Sequence, residues 1–141
     1  TSAGGTVCEG IGLGSFTSVQ VRQRFVEDVY GTTDLYGQPM VGFMNKCSII
    51  EGVETPLLTA LDMGFGNSGE KTPEGFRFRN VFASELTGPI LVKNPRLLDK
   101  VAQAIYARRD QALPDRLPRW QYAGDGYAIT AQQLKLRWEK P

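Results

Sequence analysis

Histidine is absent from the 141 residues, and that absence removes more chemistry than any motif in the chain supplies. The commonest general base at neutral pH and the commonest metal ligand go with it. Ser-His-Asp and Cys-His catalysis cannot be assembled from this chain, nor can most zinc sites. Cysteine is nearly absent too: Cys8 and Cys47, in no Cys-x-x-Cys arrangement, are too few for a zinc cluster. They either close one disulfide-bonded loop or remain two separate thiols. No apolar run approaches the ~20 residues that cross a bilayer. Residues 1–14 lack both the basic segment and the continuous apolar core of a secretory signal. The chain therefore reads as soluble, with its compartment open, and as needing no cofactor or metal of its own.

Charge is present in both signs but unevenly placed. Residues 1–70 carry three Lys/Arg against eight Asp/Glu, net −5, and residues 71–141 carry thirteen against seven, net +6. The asymmetry suits head-to-tail self-association through acidic and basic faces, or an anionic partner. Hydrophobic residues make up 41% and charged residues 22%, ordinary values for a globular chain. A single domain of this length buries roughly two-thirds of the surface its unfolded form exposes. Sixteen Gly and eight Pro predict many turns and long irregular loops.

Along the chain, residues 1–14 read as a flexible, glycine-rich arm. Residues 15–29 alternate Val19, Val21, Phe25 and Val29 with polar neighbours and predict a strand. Gln23 and Glu27 interrupt its apolar face, which suits an edge strand or two short strands. Turn chemistry fills 30–39, and 40–50 (MVGFMNKCSII) predicts a second, more buried strand, so the pair makes a hairpin. Thr55 and Pro56 suit the start of a short helix over 55–63. Residues 64–75 read as a flexible loop, 76–82 (FRFRNVF) as a strand, and 88–92 as another. One helix is predicted over 95–111, where Leu97, Leu98, Val101, Ala102, Ile105 and Tyr106 form an apolar stripe. Pro114 and Pro118 stop it. The Pro- and aromatic-rich segment 112–141 then holds a turn at Gly124-Asp125-Gly126 and a last short helix over 130–138. The expected fold is α+β, a single domain with a small antiparallel sheet packed against one main C-terminal helix and long Gly/Pro-rich loops.

Four stretches invite a chemical reading. Gly12-Leu13-Gly14-Ser15-Phe16 with Val19 resembles the glycine-rich loop of protein kinases, which implies backbone N–H groups laid over phosphates. No Val-Ala-x-Lys, His-Arg-Asp or Asp-Phe-Gly segment follows, so the stretch is read as a glycine lead-in to a strand. On one strand, Phe76, Phe78 and Phe82 share a face and Arg77 and Arg79 the other, an arrangement that could stack bases and meet phosphates of single-stranded nucleic acid. Glu51, Glu54 and Asp62 are the nearest approach to a carboxylate cluster, for acid–base work or a hard cation. Thr1 is an N-terminal nucleophile only if supporting groups converge on it.

The reading that absorbs most of these features is a non-enzymatic protein-interaction module, a structural or accessory subunit of a larger assembly. Its contact region is the basic, aromatic C-terminal half, with Arg108, Arg109, Arg116, Arg119, Trp120 and Tyr122 as partner-binding residues. Trp, Tyr and Arg carry much of the energy at protein interfaces. The acidic counterpart, if a second copy, is Glu27, Asp28, Asp34, Glu51 and Glu54. The alternative is a single-stranded nucleic-acid binder using Phe76, Arg77, Phe78, Arg79 and Phe82.

Overall fold

The computed structural model describes residues 5–114 and 120–140, and the side chains of all of these but Trp120. Among the described residues, six strands and three helices follow in order: β1 (Thr17–Thr32), β2 (Met40–Glu51), β3 (Ala60–Met63), β4 (Phe76–Phe78), β5 (Val81–Ala83), β6 (Leu86–Thr87), α1 (Ile90–Lys93), α2 (Pro95–Arg108) and α3 (Trp120–Trp138). The main sheet runs β3-β1-β2-β6 and every pairing is antiparallel, while β4 and β5 form a separate hairpin. The α+β expectation is met, with α3 laid against β1, β2 and β3. No helix among the described residues is long and apolar enough to cross a membrane.

The hairpin of β1 and β2 forms because Met40 and Met44 point inward on either side of Gly42, the residue that faces Val29, and Val29, Met40 and Met44 are completely buried. Leu57, Leu58, Leu61, Leu86 and Leu97 complete this cluster. β1 is neither an edge strand nor two strands. It is continuous, flanked by β2 and β3, and its register against β2 shifts between Gln20 and Phe25. That shift is how the polar interruption around Gln23 is accommodated.

Several local expectations give way to long-range pairing. The segment 55–63 is extended rather than helical: Leu57 and Leu58 both donate their amides to the Glu74 carbonyl, at 2.9 Å, and Ala60–Met63 joins β1 as β3. Adjacent leucines that are both fully buried are better served by this pairing than by one isolated helical turn. The loop 64–75 is a hydrogen-bonded structure with Gly66, Asn67, Gly69 and Glu74 buried. Residues 76–82 are a tight hairpin instead of one strand, reversing at Arg79 with φ 53°. Residues 90–93 turn as α1 rather than continuing β6.

The Gly124-Asp125-Gly126 turn is absent, because α3 is a continuous 19-residue helix. Each interior glycine costs about 1 kcal/mol relative to alanine. Packing offsets this: the Tyr127 hydroxyl donates to the Pro39 carbonyl at 2.7 Å, and Leu134, seven residues on, is buried. α2 ends before Pro114. The Asp110 amide donates to Ala107 at 3.2 Å and the Gln111 amide to Tyr106 at 3.0 Å, with Asp110 at φ 51°, the double bond of a left-handed helix stop. Cys8 and Cys47 are exposed free thiols.

Candidate functional site

A buried polar cluster lies at one end of the core-facing side of β2. Alternation puts Lys46 and Ser48 on the same face as Met40 and Met44, so a lysine enters the interior with its side chain 4% exposed. Its Nζ donates to the Gly66 carbonyl at 2.7 Å, to the Asn67 carbonyl at 3.2 Å and to Glu85 Oε2 at 2.7 Å. Ser48 Oγ donates to the other Glu85 oxygen. Gly66 is required there, since a Cβ would lie 2.0 Å from the Thr72 carbonyl.

Glu74, fully buried, sits beside this group. Ser84 Oγ donates to both its carboxylate oxygens, at 2.9 and 3.0 Å, and the Glu85 amide donates at 2.8 Å. Burial pushes the Glu74 carboxyl above its ordinary value, against the pull of those donors. Asn67 closes the loop, donating to the Gly75 carbonyl and accepting the Gly75 amide, both at 2.9 Å. Every donor on Lys46 is spent on an acceptor and Glu85 is neutralised by it, so Ser48 has no free base to activate it. The cluster ties β2, loop 64–75 and the start of β6 together. Its signal was present in the sequence as the parity of Lys46 with Met40 and Met44.

An apolar groove of about 800 Å³ lies on the other side of β6. The hairpin contributes Val81 and Phe82, α1 contributes Leu91, and α2 contributes Val101, Ile105 and Arg108. Arg108 is the one charged residue lining it among the described residues. Of the other expected contact residues, Arg109 caps α2 and is exposed, and Tyr122 on α3 is 79% exposed. Arg116 and Arg119, the side chain of Trp120, and Thr1 lie outside the described residues.

The base-stacking face does not form. Phe76 is buried, with the Phe16 ring centroid 4.8 Å from its own. Phe82 stands opposite Arg77 across the hairpin, so it shares that residue's face and packs against the core. Arg77 clamps Asp34 at 2.7 and 2.9 Å and holds that carboxyl below its ordinary value. Phe78 alone of the three rings is well exposed, and the Arg79 guanidinium lies over it at 5.1 Å.

The acidic and basic halves of the sequence partly cancel within the fold. Arg77 meets Asp34, Arg137 meets Asp28 and Glu27, and Lys46 meets Glu85. Glu51, Glu54 and Asp62 form no cluster: among the described residues no three His, Cys, Asp or Glu side chains gather where a metal could sit.

No protein-family model matches the chain. It is similar to the GatD subunit of lipid II isoglutaminyl synthase (glutamine-hydrolyzing) from Streptococcus pneumoniae strain ATCC BAA-255 / R6, with 34% identity over 98 residues. That match covers 67% of this chain and 37% of the relative. The corresponding GatD subunit of Staphylococcus aureus strain N315 is 30% identical over 109 residues, covering 74% of this chain and 42% of the relative. The chain thus spans about two-fifths of the curated relatives it matches.

Proposed function

We propose that this chain is a non-enzymatic, structural or accessory part of a larger protein assembly of the kind to which the GatD subunits belong. The observation that carries this reading is its similarity to two proteins that are themselves subunits of a synthase. The chemistry of the chain supports a non-catalytic share of the work. Covalent hydrolysis of a carboxamide needs a nucleophile with a base beside it. This chain holds no histidine, and Cys8 and Cys47 are exposed thiols. Glutamine hydrolysis in such an assembly would draw its reacting groups from elsewhere. The partner-facing region in this reading is the end of α2 and the start of α3, with Arg108, Arg109, Arg116, Arg119, Trp120 and Tyr122.

Two measurements test it. The purified chain is incubated with glutamine and release of glutamate is followed; none above buffer is expected. The chain is then isolated from its native source after nuclease treatment, at low and high salt, and a protein complex that persists is expected. Glutamate release abolished by Cys47→Ala would make the chain an enzyme. A complex that falls apart on nuclease treatment would instead favour the nucleic-acid alternative.

A further inference from the structure

The groove beside β6 changes character along its length. Leu57, Leu86 and Leu97 close one end and belong to the buried core. From there both walls rise toward solvent. On α2 the lining runs from Leu97 through Val101 to Ile105, which is 51% exposed, and ends at the exposed Arg108. On the hairpin it runs from Leu86 back through Phe82 to Val81, which is 37% exposed, and ends at the exposed Asn80 beside the chain reversal at Arg79. The hollow thus has an apolar closed end and an open end where the cation of its lining stands. At the helical rise, the step from Leu97 to Arg108 is about 16 Å.

We propose that this groove binds a single-chain amphiphile with one carboxylate, a free fatty acid in chemical class, with its tail toward Leu97 and its head on Arg108. The proposal goes beyond the subunit reading and does not rest on it.

The polar groups of the lining select the head. Among the described residues Arg108 has no ion pair, and neither Arg108 nor Asn80 makes a side-chain hydrogen bond. A guanidinium and a carboxylate match as two parallel N–H···O bonds, and the Asn80 amide adds a further donor. Ser84 makes no demand on the ligand. Its hydroxyl donates to the Glu74 carboxylate and accepts the Leu86 amide at 3.1 Å, so both its capacities are filled. A phosphate monoester is a poorer match, because it brings about two negative charges to a lining with one cation. An uncharged lipid gains nothing from Arg108.

The walls select the tail. Apart from Ser84, the lining between the two ends is apolar. Small-molecule sites are mostly apolar with a few polar groups that fix orientation, and they span roughly 300–1,000 Å³. The volume here, about 800 Å³, lies within that range.

The test titrates the purified chain with dodecanoate, below the concentration at which it forms micelles, by isothermal titration calorimetry. Dodecanol, dodecyl phosphate and butanoate are titrated alongside. Saturable one-to-one binding of dodecanoate is expected, at least ten-fold tighter than that of each of the other three. Arg108→Gln should weaken dodecanoate about ten-fold and leave dodecanol unchanged, a split that a merely structural role of Arg108 would not give. Ala104→Trp, at an exposed position of α2 that lines the groove, should fill the hollow and abolish binding, with circular dichroism and the urea midpoint unchanged. No saturable binding of dodecanoate overturns the proposal, as does binding of several molecules per chain that survives Ala104→Trp. Equal affinity for dodecanol, or tighter binding of dodecyl phosphate, overturns it through the head group. A dimer in size-exclusion chromatography that Ala104→Trp dissociates would give the groove to a second copy and overturn it too. Each of these failures leaves the subunit reading standing, since that reading is tested by the complex recovered from the native source.

Discussion

Asn94 pairs with the backbone of Val41 as though it were a strand: its Oδ1 accepts the Val41 amide at 2.8 Å and its Nδ2 donates to the Val41 carbonyl at 2.9 Å. The same Nδ2 donates to the Ile90 carbonyl at 2.9 Å. One buried amide therefore fastens the junction of α1 and α2 to β2, fifty-three residues away in sequence. It explains why Asn94 precedes α2 without capping it by a side-chain bond.

Asn94→Ala removes three bonds and leaves both polar groups of Val41 without partners in the interior. Each buried group so orphaned costs ~1–3 kcal/mol, so a loss of about 3 kcal/mol is expected. Urea unfolding reads it directly as a lower midpoint at unchanged slope. A loss under ~0.5 kcal/mol would show that water or another side chain replaces the amide.

Stability should carry a pH signature from Glu74. Burial raises its carboxyl in the folded protein above the ordinary 4.5, so the folded state keeps that proton to higher pH than the unfolded chain does. The contribution is whole below the unfolded value and is lost as pH rises through the folded one. Relative to Glu74→Gln, the wild-type protein should therefore lose stability as pH climbs from about 4.5 toward neutrality. Urea midpoints of both proteins across that range decide the matter, and parallel curves would refute it.

The phenylalanines of the hairpin should separate by burial and not by any shared role. Phe76→Ala empties a packed site and should cost about 3 kcal/mol, at the low end for a buried ring. Phe78→Ala, at the exposed tip, should cost under about 1 kcal/mol. Fluorescence anisotropy with a labelled single-stranded oligonucleotide should show no saturable, salt-sensitive binding by the wild-type protein. Binding lost on Phe78→Ala would reopen the nucleic-acid alternative.

Asp110 occupies the left-handed position after α2, where glycine is at ease and a side chain is strained. Its carboxylate also lies at the negative end of the helix dipole. Asp110→Gly should raise stability by about 1 kcal/mol, seen as a higher melting temperature. An unchanged or lower one would mean that the carboxylate makes a compensating contact.

The parts of this fold visible in the sequence are those whose pattern is local. The β1–β2 hairpin shows in the alternation around Val29 and Met44, and α2 shows in the stripe from Leu97 to Tyr106. What stays hidden depends on partners distant in sequence. Leu57 and Leu58 give up a helix because Glu74 is there to pair with them. Gly124 and Gly126 read as a turn because the Tyr127–Pro39 bond that holds the helix spans eighty-eight residues. At the candidate site, Arg108, Arg109 and Tyr122 are all exposed, and Tyr122 lies on a helix where the sequence predicted none. The groove that Arg108 lines has no sequence signature, since its walls come from three elements.

The register shift in β1 has a bearing on how this chain tolerates changes in length. Gln20 faces Ser48 and Phe25 faces Lys46, so residues 21–24 stand opposite Cys47 alone. Slack of this kind is a buffer: a residue lost within 21–24 shortens the irregularity and leaves Phe25 and Val29 facing inward. A residue lost at Asp28 instead turns Val29 outward, because one step of register reverses every side chain beyond it. Deleting Gln23 should leave the protein folded by circular dichroism, and deleting Asp28 should not. Length variation among relatives of this sheet should accordingly collect just before Phe25, where the strand can absorb it without disturbing the core.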